Sequence, residues 1–269
     1  MSLKILELTD RDRSKWEESI AGLERGVLYP LGDDFFEIDH GSNYFAFFDR
    51  MGKSSTYIAK MQSELAAVGS LILRKIPSQH GKPAENCWYL CDLKVARGFR
   101  RQRIPLRIFT KGFPKKYPIC PRGYAVSMNP GDGSENPVVR LASHIGLVPV
   151  RTGPILLFYS LNHREFQRTR AAIEFHRGPV GFRSMRGVKD IVLKSTDQPM
   201  DILHLQFGPC ADSNKNEPEE DSVHMFCTPA GDALAEEMLE AGIHAHATAS
   251  ILHHRMQDWD WRFILTNEI

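Results

Sequence analysis

The stretch Asp92–Phe109, DLKVARGFRRQRIPLRIF, decides how the rest of this chain is read. Its first residues look like a strand, its middle is a basic loop, and its end opens a short basic helix. A strand that passes through a tight loop into a helix can hold a pyrophosphate, because the first helical turn offers unpaired N–H groups and a partial positive charge. Between Leu93 and Lys116 there are nine Lys or Arg and no acid, although the 269-residue chain has a formal net charge of only +1. The positive field is therefore local.

Working outward, Leu3–Leu8 reads as a short strand, and Trp16, Ile20 and Leu23 fall on one helical face. Phe35 through Phe48 is aromatic without helical period. Ser55–Met61 and Ala66–Ile76 read as an antiparallel hairpin turning at Gln62-Ser63-Glu64, and Asn86–Val95 as a buried strand. Gly112 and Pro114 are expected to end the basic helix. A strand over Gly123–Met128 then leads through PGDGSENP to a helix with Val138, Leu141 and Ile145 inward, stopped by Gly146 as a left-handed cap. Two strands, Val148–Arg151 and Ile155–Leu161, close the unit.

This order predicts an α+β fold with a mixed, mostly antiparallel sheet flanked by helices over 1–161. A smaller α+β domain is expected over 162–269. It begins with a charged connector, Asn162–Arg170, and carries a polar loop, Ala211–Ser222. A strand over Val223–Cys227 follows, then a helix capped by Thr228 with Leu234, Met238 and Leu239 inward, then Gly242 and two more strands. GYAVSMNPGDG with its helix and HIGLVPV parallels VHMFCTPAGDA with its helix and EAGIHAH, a faint internal repeat that makes the second domain a degenerate copy without the basic loop.

At Asp92-Leu93-Lys94-Val95 and Arg100 the sequence resembles the GNAT acyltransferases, whose signature is a D-L-x-V strand, four residues, then R/Q-x-x-G-x-G/A opening a helix. Leu141–Leu147 resembles the L-Y-x-x-x-G-F end of a later family helix. The resemblance implies acetyl-CoA or another acyl-CoA as co-substrate. Its pantetheine would pair with the backbone of Leu93 and Val95, and its pyrophosphate would lie on Arg100, Arg101, Gln102, Arg103 and Ile104. It implies acyl transfer to an amine, carried by a small molecule or a peptide, with Asp92 as the base and Asn136 in the position of a frequent family asparagine. Three departures stand out: Arg103 and Pro105 replace the two glycines, and Ala142 replaces the tyrosine that often protonates the leaving thiolate. Arginine can bind phosphate bidentately and proline suits a first helical turn, so anion binding is compatible with both changes. The alternative is a catalytically silent GNAT fold that binds an anionic ligand or a protein.

Other features narrow the function. The opening MSLKILELTDRDR soon turns charged and the longest apolar run, Pro154–Tyr159, is far too short to span a bilayer, so a cytoplasmic protein without membrane contact is expected. Only Phe99, Phe109 and Phe113 punctuate the basic stretch, and no helix-turn-helix, RRM or zinc pattern accompanies it, which argues against a nucleic-acid partner. Cys87, Cys91, Cys120, Cys210 and Cys227 are odd in number and lack CxxC spacing, so free thiols are expected. His244, His246, His253 and His254 read as a polar sheet face rather than a metal site, and Asp258-Trp259-Asp260-Trp261 as indoles under a turn. No G-x-S-x-G, HExxH, Walker or Rossmann fingerprint appears. Phe35, Phe36, Tyr44, Phe45 and Phe47 hint at an apolar pocket wall, with plain core as the other reading. A homodimer is left open.

Overall fold

The computed structural model describes residues 3–77, 83–208, 211 and 217–269. Its elements are β1 (Lys4–Glu7), α1 (Asp10–Glu24), β2 (Tyr29–Leu31), β3 (Asp34–Asp39), α2 (Ala46–Asp49), β4 (Lys53–Met61), β5 (Glu64–Ile76), β6 (Glu85–Val95), α3 (Ile104–Lys116), β7 (Gly123–Met128), α4 (Pro137–Ala142) and β8 (Arg151–Leu161). They continue with α5 (His163–Arg177), β9 (Val180–Ser184), β10 (Asp190–Leu193), β11 (Gln198–Pro199), β12 (Ile202–Phe207), β13 (Val223–Pro229), α6 (Ala233–Glu240) and β14 (Ala247–His254). The fold is α+β. A ten-stranded sheet runs β1-β4-β5-β6-β7-β14-β8-β13-β12-β9, and a four-stranded sheet runs β11-β10-β3-β2.

The large sheet is a repeat with exchanged strands. β6 and β7 are parallel neighbours, and so are β13 and β12, while β14 and β8 lie between these pairs. Strand β8, from the first half, pairs with β13 and β14 of the second, and β14 also pairs with β7. Exchanging β5 with β9, β6 with β12, β7 with β13 and β8 with β14 gives the same order of these eight strands read from the other edge. The repeat read from GYAVSMNPGDG and VHMFCTPAGDA is thus visible in the topology.

Two layers of helix cover this sheet. Ile20 of α1 is fully buried with Phe47 and Phe48 in the largest apolar cluster, joined by Trp261 and Ile264 from the C-terminal segment. On the opposite face α3 packs Ile104 and Ile108 against Tyr57, while Phe166 and Ile173 of α5 meet Leu234 and Met238 of α6. No helix among the described residues is long and apolar enough to cross a membrane.

Several local expectations change. Helix α3 continues through Gly112 and Pro114 to Lys116. A Cβ on Gly112 would approach the Tyr57 ring to 3.1 Å, so glycine lets the helix lie close on the sheet, and packing overrides its weak helix propensity. Helix α4 stops at Ala142, before Ile145, and Gly146 is not left-handed. A single strand, β8, stands where two were expected: it starts at Arg151 and runs through 155–161, and residues 148–150 are not strand. The charged connector is the helix α5, begun by a capping box in which the Asn162 side chain accepts from Glu165 N and the Glu165 side chain accepts from Asn162 N. Helix α6 starts at Ala233 and is capped by Asp232, because Thr228 lies within strand β13, five residues before the helix, and Leu239 is 59% exposed. One strand rather than two follows Gly242, and 3-10 turns at Trp261–Phe263 and Thr266–Glu268 end the described chain. Cys210 and residues 212–216 of the polar loop lie outside the described residues.

Candidate functional site

β6 and β7 pair only over Trp88–Leu90 with Gly123–Ala125, although β6 runs on to Val95 and β7 to Met128. Beyond Leu90 the β7-facing edge of β6 therefore has no strand partner. A cavity of about 950 Å³ fills the parting, bounded by α3 and α4 on one side and by α1, β2, β3 and Lys189 on the other. Leu93 and Val95 line it.

A bulge aims the catalytic candidate. The β5–β6 register jumps from Val68↔Lys94 to Ser70↔Cys91, so Asp92 and Leu93 together face Gly69. Asp92 takes the left-handed conformation, φ 58°, that a bulge of this kind normally reserves for glycine. Its side chain is fully buried and borders the cavity. Oδ1 accepts from the Tyr44 hydroxyl at 2.5 Å and from Lys94 Nζ, whereas Oδ2 has no protein partner.

Behind Asp92 lies a buried charge network that the sequence did not announce. Lys94 Nζ also lies 2.9 Å from Glu24 Oε1, and Glu24 Oε2 lies 3.2 Å from His40 Nε2. Burial disfavours the Lys94 ammonium, but the carboxylates of Asp92 and then Glu24 outweigh it, and its proton affinity ends above that of an ordinary lysine. Burial likewise pushes the Glu24 carboxyl up, and His40 and Lys94 push it down further than that. Burial and then Asp92 drive the Tyr44 phenol well up, so it remains a hydrogen-bond donor. Lys189, also on the cavity wall, is lowered to about 8, chiefly by burial, and donates to the main-chain oxygen of Ile269. One signal was available in advance: residues two apart on a strand share a face, which pairs Asp92 with Lys94. Nothing local points to Glu24, His40 or Lys189.

The basic loop leaves the end of β6 through a 3-10 turn at Arg97–Phe99. Arg101 and Arg103 have φ of 66° and 53°, so the backbone adopts left-handed turns despite lacking glycine. Arg103 precedes α3, with Pro105 inside its first turn. Arg100, Arg101, Gln102 and Arg103 are exposed, and among the described residues none of these three arginines has a carboxylate partner. Arg100 reaches the cavity wall, and Ile104 is buried as the first residue of α3. Two cations counted in this stretch serve elsewhere. Lys94 is in the buried network, and Lys116 pairs with Glu7 and Ser55.

Asn136 is fully used by the fold. Its Oδ1 accepts from Val138 N, Val139 N and the Ser127 hydroxyl, and its Nδ2 donates to Ser127 O, Met128 O and Asn129 Oδ1. It clamps α4 to the end of β7 beside the cavity. Of the aromatic candidates, Phe35, Phe36 and Phe47 line the cavity, Tyr44 bonds Asp92, and Phe45 is core. The four histidines lie before and at the end of β14, and no group of three potential metal ligands occurs among the described residues. Trp261 packs on Tyr124 and His253.

No family model matches the chain. An uncharacterized protein of Acanthamoeba polyphaga mimivirus is 22% identical over 278 residues, covering 98% of this chain and 80% of its own. Two solved structures are similar over nearly the whole length. One is a tandem GNAT protein from the clavulanic acid biosynthesis pathway, 8% identical, with 96% of this chain and 100% of that one covered and a TM-score of 0.55. The other, from Pyrococcus horikoshii and assigned as an acetyltransferase, is 9% identical, covers 98% of this chain and 92% of that one, and has a TM-score of 0.51. The chain has the GNAT fold in its tandem form. The parting of β6 and β7, the basic loop and the Asp92 network all lie in the first of the two repeats.

Proposed function

We propose that the chain is an acyl-CoA-dependent N-acyltransferase, with acetyl-CoA as the simplest donor. The observation that carries the reading is the cavity at the β6–β7 parting, lined by elements from both faces of the sheet and bordered by a carboxylate with one unpartnered oxygen. The description of the Pyrococcus protein as an acetyltransferase adds support. The division at 161/162 is retained as the proposed domain boundary, with a cytoplasmic location.

In this reading the pantetheine arm pairs with the free edge of β6 at Leu93 and Val95. The pyrophosphate meets the guanidinium groups of Arg100, Arg101 and Arg103, Gln102 and the unpaired N–H of Ile104 at the start of α3. Asn136 acts as a positioning residue. The acceptor nitrogen attacks the thioester carbonyl, a C–N bond forms, the C–S bond breaks, and the amine proton passes to Asp92 directly or through water. CoA leaves as a thiolate protonated by solvent, since Ala142 offers no hydroxyl.

Ala142 and the loop arginines also suit the second reading, a catalytically silent fold that binds an anionic ligand or a partner protein. Calorimetric titration with acetyl-CoA and CoA, followed by an assay of thiol release with an amine panel, separates the two. Saturable binding with thiol release supports transfer. Binding without release supports the silent fold, and absence of binding at millimolar ligand defeats the enzyme reading.

A further inference from the structure

Acyl transfer leaves the acceptor unspecified, and the half of the cavity facing α1 restricts it. There the wall is built by Leu28, Tyr29, Phe35, Phe36 and Ile38 of the first repeat and Ile191 of the second. β3 pairs with β10 in register, Phe36 opposite Leu193 and Ile38 opposite Ile191, so the second repeat fixes this wall in place. Leu28 and Phe35 are 45% and 47% exposed at the cavity edge, which gives an apolar approach from solvent.

The charged groups here are nearly all committed. Lys94 is held by Asp92 and Glu24, Lys116 by Glu7, Arg122 by Glu85 and Lys189 by Ile269 O. Among the described residues lining the cavity, Arg100 is the lysine or arginine whose side chain has no such partner, and it belongs to the basic loop. On the acidic side Glu24 is taken by Lys94 and His40, and Asp132 lies in the exposed loop after β7. What remains is Oδ2 of Asp92, buried and unpartnered.

We propose that the acceptor is a primary monoamine on an apolar aromatic or alkyl body, its ammonium on Asp92 Oδ2 and its body against the β2–β3 wall. The proposal rests on the acyl-transfer reading and specifies its substrate class. A carboxylate beside the amine would sit near the Asp92 carboxylate, where Lys94 is already shared between Asp92 and Glu24, and a buried charge without a partner of its own is costly. A polyamine would bury a second ammonium with no second carboxylate. A sugar would set several hydroxyls against a wall whose side chains, Tyr29 apart, cannot hydrogen-bond them.

The test is calorimetry on the full chain, with and without saturating CoA, using 2-phenylethylamine, phenylalanine, spermidine and glucosamine. Phenylalanine has the same body as 2-phenylethylamine plus one carboxylate. The expected result is 2-phenylethylamine binding about tenfold or more tighter than the other three, one unit of 1.4 kcal/mol or above. Equal binding, or a preference for any of the other three, overturns the proposal. Leu28→Lys with Phe35→Lys alters two half-exposed positions at the cavity edge. It should weaken 2-phenylethylamine binding about tenfold while CoA affinity holds, because it removes apolar contact and adds repulsion. Unchanged amine affinity in that variant also overturns the proposal. Failure of the two readings is distinguishable: amine binding without CoA binding removes acyl transfer but keeps the amine class, whereas CoA binding with no such preference removes the class alone.

Discussion

The sheet contains two parallel strand pairs that each part after three residue pairs, and among the described residues a cavity is seen at one of them. β6 and β7 separate after three residue pairs, as do β12 and β13, which pair over Ile202–His204 with Val223–Met225. At the first, a helix with an arginine-rich start follows β6 and a cavity fills the space. At the second, the segment around the final 3-10 turn lies against both strands. The Thr266 hydroxyl pairs with His204 Nδ1 at 2.8 Å and donates to Met225 O, and Asn267 Oδ1 accepts from Gln206. Burial, then the charges of Lys189 and Arg50, keep His204 well below an ordinary histidine, so it serves this closed site as a neutral ring. Duplication supplied two clefts, and what was placed in each decides which can take a ligand.

The largest effect is expected at the free carboxylate of the open cleft. Asp92→Asn should lower turnover by roughly 10²–10⁴-fold with CoA affinity retained. Equal rates in wild type and variant would show that the cleft binds without using this base. Next is the network behind it. Lys94→Ala leaves Asp92 and Glu24 buried without their cation and should cost about 3–5 kcal/mol in a urea-unfolding experiment. An unchanged midpoint would mean that the two carboxylates find other compensation.

The loop comes third. Removing two charge-assisted phosphate contacts with Arg100→Ala and Arg103→Ala should weaken CoA binding roughly a hundredfold, read by calorimetry. If the affinity holds, the backbone of α3 binds the pyrophosphate alone. The same titration on the native chain should give a single equivalent of CoA, and a second equivalent would break the contrast between the clefts. Thr266→Val, which strips His204 of its partner, should cost about 1–3 kcal/mol of stability. It should not add a CoA site.

Acid sharpens the comparison further. Burial raises the Glu24 carboxyl, but His40 and Lys94 lower it more. Its stabilisation is therefore full above the unfolded-state value of about 4.3 and is lost as pH falls through the lower folded value. Lys94, raised overall, contributes at every pH below its unfolded value and loses that contribution only in alkali. Urea midpoints measured from neutral pH downward should fall more steeply for the wild type than for Glu24→Gln. Parallel curves would exclude Glu24 as the titrating group.

Much of the first repeat was legible because its signals are short-range. The β4–β5 hairpin follows from alternation around Gln62-Ser63-Glu64, and the turn into α3 from a strand, a basic loop and Pro105. Helix α5, expected as a charged connector, carried a helix signal in Asn162 and Glu165, which form a capping box, and in its buried face of Phe166, Thr169 and Ile173. Its charged exterior hid this pattern. Gly112 and Pro114 misled in the opposite direction, because helix propensity is worth about 1–3 kcal/mol and tertiary contact can exceed it.

Sequence alone thus determined part of the local structure: the β4–β5 hairpin and β6 by their strand-like runs, the start of α3 by Pro105, the repeat by its two matching endings, and the basic loop by its charge. Tertiary structure alone decided that β14 crosses into the first repeat, that Glu24 meets Lys94 across 70 residues of chain, and that one cleft is filled while its twin stays open. The physical reason is range. Backbone periodicity and turn chemistry act over a few residues, whereas the partner of a buried charge or a free strand edge is chosen by whichever distant segment can satisfy it when the chain closes.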